Sequence, residues 1–246
     1  MDENRISYHE SVRRVYERIK KDHMDNIWDR YEAQGMGGDP DRRCPFCQAG
    51  IRCDLCSNGP CRADAVLNKR GVCGITADGM AMRMMLLRNV MGASTYHYHT
   101  DQTVKTLRAT AKGRTPFKIS ESEKLKDFAE RLGIATAGSE NEIAVRLCDF
   151  VEADFNRKYY EPSHIVEILA PQERKDTWKK LGIFPGGIYG EMMLATSSCL
   201  TNVDGYYVSL ALKAMRLAVA MAYQSQLVNE YCQDILFGIP EPHEMR

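Results

Sequence analysis

Six cysteines, Cys44, Cys47, Cys53, Cys56, Cys61 and Cys73, fall within 30 residues, while Cys148, Cys199 and Cys232 are scattered singly. Thiols at such short spacings are either a disulfide framework or a set of metal ligands. Disulfides suit small exported domains that cannot build a core of their own. Here the chain opens on Met1-Asp-Glu-Asn-Arg5, charged and with no apolar run behind it, which is not a secretory signal. The clustered thiols are therefore expected to bind metal in a cytoplasmic protein.

The spacing runs Cys44-x2-Cys47-x5-Cys53-x2-Cys56-x4-Cys61-x11-Cys73. A cubane [4Fe–4S] cluster needs four thiolates around a bulky, roughly tetrahedral body. Cys53 and Cys56 can grip one side, Cys61 another after a short turn, and the remote Cys73 can close the cage. Gly59 and Pro60 allow the tight turn between them. From Arg42 to Arg70 six basic residues (Arg42, Arg43, Arg52, Arg62, Lys69, Arg70) face only Asp54 and Asp64, a net +4. Nearby positive charge stabilises the reduced form of an anionic cluster. The competing expectation is structural zinc on the two C-x2-C pairs. Those pairs lie close together for a zinc loop, and zinc would leave Cys61 and Cys73 unused.

The elements that hold this segment read as helices. The chain has 246 residues, 33 Lys+Arg against 33 Asp+Glu, 44% hydrophobic and 27% charged residues. That balance is of an ordinary globular chain with no global field for nucleic acid or an anionic surface. The longest charge-free run, Leu217 to Asn229, is 13 residues, short of the ~20 a membrane span needs. From Ile6 to about Ala33 apolar residues recur at helical spacing, and Gly and Pro break the pattern before Asp41. Ala77 to Met91 is apolar on most sides, which predicts a buried helix with its methionines as core filler. Ser120-Glu-Ser-Glu123 and Ser139-Glu-Asn-Glu142 both fit the capping box. Pro171 can occupy a first helical turn, and Tyr206 to about Leu236 reads as one long helix or two, stopped at Gly238. Cys148, Cys199 and Cys232 read as buried small hydrophobes and Trp28 and Trp178 as packing anchors. No stretch alternates strictly enough for a strand. The expectation is an all-α fold, one helical domain over 1–246 with a cysteine-rich irregular loop at 43–74.

Within that loop, Cys44-Pro-Phe-Cys47, Arg52-Cys53-Asp-Leu-Cys56-Ser-Asn-Gly-Pro-Cys61-Arg62 and Gly71-Val-Cys73-Gly-Ile-Thr-Ala-Asp78 together resemble the N-terminal region of anaerobic nickel–iron carbon monoxide dehydrogenases. The resemblance continues through Met91-Gly-Ala and Leu181-Gly-Ile-Phe-Pro185 to Asp234-Ile-Leu-Phe-Gly-Ile-Pro240. It spans about Trp28 to Pro240 and is strongest at the cysteines. Hybrid-cluster proteins start similarly and match less well.

The resemblance implies a [4Fe–4S] cluster on Cys53, Cys56, Cys61 and Cys73. It also implies a second cluster shared between the subunits of a homodimer, mapped to Cys44 and one more cysteine. Many members carry that second ligand where this chain has Arg52, so the partner here is Cys47, the variant associated with a bridging [2Fe–2S] rather than [4Fe–4S] cluster. The implied role is electron transfer in CO oxidation, between a catalytic cluster and a ferredoxin-like acceptor. The family's catalytic nickel–iron–sulfur cluster is held in two α/β domains that follow. Neither falls within these residues, so nickel is not expected on this chain, and catalysis is expected on another segment or subunit. His243 reads as a solvated residue. The family also runs histidines along the helix after the cubane loop. In Ser94-Thr-Tyr-His-Tyr-His-Thr100, His99 falls on one such position, Tyr96 replaces the leading histidine and His97 has no counterpart. The alternative function is a free-standing iron–sulfur or scaffold subunit of another redox complex.

Overall fold

The computed structural model describes residues 7–33, 51–201 and 203–240. Cys44, Cys47 and His243 lie outside the described residues. Among the described residues ten α-helices and one two-stranded hairpin follow in order. Helices α1 (Glu10–Lys21) and α2 (Ile27–Ala33) divide what the sequence pattern reads as one continuous segment. The break has a local cause. His23 adopts a positive φ of 53°, and the Asn26 side chain accepts from the Asp29 N–H at 3.0 Å, starting a new helix as a cap does. Tyr16 is buried edge-on against Trp28, with ring centroids 5.2 Å apart.

Strands β1 (Ile51–Cys53) and β2 (Cys61–Ala63) correct the expectation of no strand. At three residues each they are too short to display a period-2 pattern, and their pairing is held by the loop between them.

Helix α3 (Ala77–Ala111) is the axis of the body. Its 35 residues extend about 52 Å at 1.5 Å per residue. Thr76 caps it, its hydroxyl accepting from the Gly79 N–H at 3.2 Å. Met80, Leu86, Val90, Val104 and Leu107 are buried along its length. The methionines divide: Met80 is core, whereas Met85 and Met91 are exposed, so the helix is buried on fewer sides than its composition implies.

The body forms around α3 from α4 (Ser122–Arg131), α5 (Glu140–Phe155), α6 (His164–Leu169), α7 (Gln172–Leu181), α8 (Ile188–Ser198), α9 (Tyr207–Ala220) and α10 (Val228–Phe237). Helices α5, α8, α9 and α10 pack directly on α3. Phe128 of α4 stacks on Tyr231 of α10 at 3.9 Å. Trp178 meets Tyr223 edge-on, and Cys148, Cys199 and Cys232 are all buried as expected.

Ser139 and Glu142 form the expected capping box on α5. Ser120 does not cap α4. Its hydroxyl instead donates to the Leu236 carbonyl at 2.8 Å and ties the α4 entry to α10. Pro171 sits one residue before α7 rather than in its first turn. Asp154, buried near the end of α5, accepts from the Ser163 hydroxyl and the His164 N–H, both at 2.6 Å, and so anchors the start of α6.

Helices α9 and α10 are joined without interruption by a π-helical stretch, Met221–Leu227. The wider turn directs Gln224 to α8, where its side-chain oxygen accepts from the Ile188 N–H at 3.0 Å and its amide donates to the Gly186 carbonyl at 2.7 Å. Gly238, at φ 87°, ends α10 where the sequence predicts a stop. No helix among the described residues is long and apolar enough to cross a membrane.

Candidate metal centre

The antiparallel register of the hairpin pairs Ile51 with Ala63, Arg52 with Arg62 and Cys53 with Cys61. Cys53 and Cys61 therefore stand directly across from one another, and side chains so paired share one face. Cys56 lies in the connecting turn, where the Gly59 N–H donates to the Cys56 carbonyl at 3.1 Å. A Cβ at Gly59 would come within 3.2 Å of both the Cys53 carbonyl oxygen and the Cys61 nitrogen, so any larger residue there would push the turn open by a few tenths of an ångström. Beyond β2, Asp64 and Lys69 exchange backbone hydrogen bonds and turn the chain back. The return segment carries Cys73 in a turn where the Gly74 N–H donates to Gly71 at 2.8 Å and the Gly71 N–H to Ile75 at 3.0 Å. This turn lies against β2, because the Val72 N–H points at Cys61 Sγ at 3.5 Å. Cys53, Ala63, Ile75, Ala77 and Met80 form a small core beneath, with Cys61 and Cys73 partly buried against it.

The structure thus gathers Cys53, Cys56, Cys61 and Cys73 in one lobe at the start of α3, all four as free thiols. The surroundings of Cys56 favour its thiolate. The Thr201 hydroxyl and the Asn58 and Gly59 N–H groups hydrogen-bond to Cys56 and hold its pKa below the ordinary thiol value. The isolated cysteines behave oppositely. Burial pushes the Cys148 thiol up to about 12, and raises Cys199 and Cys232 as well. Those three are inert core residues.

Among the described residues no three His, Cys, Asp or Glu side chains converge on a point where one ion could sit. A tetrahedral zinc with Zn–S near 2.3 Å draws its thiolates to about 3.8 Å from one another. A cubane keeps its own iron and sulfide body between them. Four free thiols in one lobe, with N–H and O–H donors near three of their sulfurs, are a donor set that a thiolate-bound cluster could use.

The two central histidines separate. His97 is 1% exposed, with Nδ1 2.8 Å from Ser225 Oγ, while His99 is exposed and meets the Gln233 amide at 3.1 Å. Sequence reasoning missed Arg83 and Thr201. Arg83 is 2% exposed and approaches Cys73 Sγ with Nη1 at 3.9 Å. The signal was a single arginine in the otherwise apolar Met80-Ala-Met-Arg-Met-Met-Leu-Leu87; Thr201 had none.

Residues 51–246 match the Prismane/CO dehydrogenase family, and the chain belongs to that family. It is 79% identical over its whole length to carbon monoxide dehydrogenase 2 of Methanosarcina acetivorans, and 46% identical over 242 residues to carbon monoxide dehydrogenase of Archaeoglobus fulgidus. The nickel-free crystal structure of carbon monoxide dehydrogenase from Thermococcus sp. AM4 superposes with a TM-score of 0.87 at 31% identity, over 98% of this chain. The chain spans 39% of the length of the first relative, 38% of the second and 38% of the solved chain.

Proposed function

We propose that this chain is an electron-transfer unit of a carbon monoxide dehydrogenase-type oxidoreductase, with its helical body formed as one domain. It carries single electrons between a catalytic cluster held outside these residues and an external ferredoxin-like acceptor. The observation that carries the reading is the gathering of Cys53, Cys56, Cys61 and Cys73 with hydrogen-bond donors aimed at their sulfurs. In this reading those four thiolates hold a [4Fe–4S] cluster, which supplies a one-electron couple. The chain's own residues orient and insulate it. The hairpin fixes Cys53 against Cys61, the Val72 N–H points at Cys61 Sγ, and the Thr201 hydroxyl helps to hold the Cys56 thiol below its ordinary pKa.

Cys44 and Cys47, left over from that set, complete a second cluster only with the same pair from another copy, which makes the protein a homodimer. A two-fold interface brings one patch against itself, the geometry such sharing requires.

Anaerobic purification followed by iron, nickel and zinc analysis tests the reading. About four to six irons per chain are expected, without stoichiometric zinc. Cys56→Ser is expected to lose most of the broad visible absorption. A zinc-loaded colourless protein, or a Cys56→Ser variant with the wild-type spectrum and iron content, overturns it. The 246-residue chain by itself is expected not to reduce viologen with CO, even when supplied with nickel.

A further inference from the structure

Arg83 is a buried cation whose carboxylate partner is missing. Its side chain is among the largest of the fully buried ones, at 2% exposure. Nη2 donates to the Asp204 carbonyl at 2.6 Å, Nη1 points at Cys73 Sγ, and Nε is buried with no hydrogen-bond partner. No ion pair reaches it among the described residues. The cavity of about 350 Å³ that it borders with Cys73 is lined by one acid, Asp204. That carboxylate is already engaged by Lys213 at 2.5 Å, the Ser209 hydroxyl at 2.6 Å and the Tyr206 N–H at 3.0 Å. Asp204 therefore offers Arg83 only its backbone.

A guanidinium taken from water without a counter-anion is strongly destabilising. Such a group persists where an anion belongs beside it. The approach is built for one. A Cβ at Gly79 would meet the Gly205 carbonyl at 2.4 Å, so glycine there lets the 204–205 segment close against the start of α3, over Arg83. The sulfur that Arg83 faces is one of the four gathered thiols.

We propose that Arg83 is the counter-cation of the thiolate-bound cluster and sets its reduction potential. This rests on the reading of Cys53, Cys56, Cys61 and Cys73 as the cluster's ligands. An all-cysteine cubane core carries a charge of about −2 when oxidised and about −3 after taking up one electron, with no bond made or broken. A fixed positive charge stabilises the second state more than the first, and the burial of Arg83 limits screening by water. Arg83 touches no substrate; it acts through the cluster as a positioning and potential-setting residue.

The test is a mediated redox titration of the full chain, with dithionite as one-electron donor through viologen mediators, followed by electron paramagnetic resonance. Wild type is compared with Arg83→Gln, which keeps a donor for the Asp204 carbonyl but no charge, and Arg83→Lys, which keeps the charge. At the wild-type midpoint, Arg83→Gln is expected to show a reduced-to-oxidised ratio at least tenfold lower, equal to 59 mV for a one-electron couple. Arg83→Lys is expected to stay within threefold. Failure of Arg83→Gln to retain the cluster while Arg83→Lys retains it also supports the charge assignment. An unchanged midpoint in Arg83→Gln, equal shifts in both variants, or cluster loss from both overturns it. A wild-type chain with no four-iron cluster is a different result, the failure of the underlying ligand reading.

Discussion

His97 Nδ1 lies 2.8 Å from Ser225 Oγ, joining the middle of α3 to the π-helical stretch. Thr100, one turn on, donates to the Ser225 carbonyl at 3.3 Å, so the widened turn is pinned through both the side chain and the backbone of one residue. The imidazole is clasped edge-on by Phe155 at 4.7 Å and Tyr189 at 4.8 Å, and its Nε2 is buried without a hydrogen-bond partner.

Burial lowers the His97 pKa to about 4, with Asp101 pulling weakly the other way. Between about pH 4 and 6.5 the unfolded chain therefore binds a proton that the folded chain refuses. Stability is complete above the unfolded value and falls as the pH drops through this window. Urea unfolding at pH 7 and pH 4.5 is expected to show a loss on acidification that is smaller in His97→Gln by roughly 2 kcal/mol. Equal losses in the two proteins refute the assignment.

Asp154 joins α5 to α6 through buried hydrogen bonds to Ser163 and His164. Asp154→Ala removes the acceptor and strands the donors, with an expected cost of roughly 3 kcal/mol. Asp154→Asn retains one acceptor and is expected to cost about half. Chemical denaturation measures both, and a change under ~0.5 kcal/mol in Asp154→Ala contradicts the anchoring role.

Thiol reactivity distinguishes the lobe from the core. In metal-free chain at pH 7.5, iodoacetamide is expected to label Cys56 first, because Thr201, Asn58 and Gly59 stabilise its thiolate. Cys148, Cys199 and Cys232 are expected to remain unlabelled until denaturant is added. Thr201→Val should slow labelling at Cys56 alone. Peptide mass mapping reads the order, and early modification of Cys148 contradicts it.

In the proposed reading Cys44 and Cys47 supply, from each chain, half of an all-cysteine cluster. Cys47→Ala is thus expected to lower iron from about five or six per chain to about four and to weaken the dimer, leaving the helical body folded. Iron analysis with sedimentation tests this. A monomeric wild-type protein with four irons per chain ends the idea.

The features legible in the sequence were those encoded by local spacing. The intervals from Cys53 to Cys73 pointed to thiols that lie together in one lobe, and the Ser139 box announced a helix start, since each is complete within a few tens of residues. What stayed hidden depended on partners far along the chain. Ser120 has the same pattern as Ser139, yet the Leu236 carbonyl competes for its hydroxyl from 116 residues away. Arg83 is one letter in an apolar run, and its role emerges only once Asp204 and Cys73 close around it. The hairpin was invisible because three-residue strands have no period to read, and the π-helical turn because it keeps a helical pattern of side chains.

The small core beneath the cysteines draws all its fully buried members from Cys53 to Met80, whereas the main core needs residues from Leu86 through Leu236. The two clusters differ greatly in sequence span, and Leu55 packs against both. The short one closes over loops of only a few residues, at low entropic cost. During synthesis at about 5–20 residues per second, from the N-terminus onward, its four cysteines emerge many seconds before α10 can seal the bundle. The four cysteines therefore wait on the nascent chain for Thr201, which meets Cys56, and for Asp204, which receives Arg83. Completion of the cysteine lobe is thereby coupled to arrival of the segment between α8 and α9, more than a hundred residues later in synthesis.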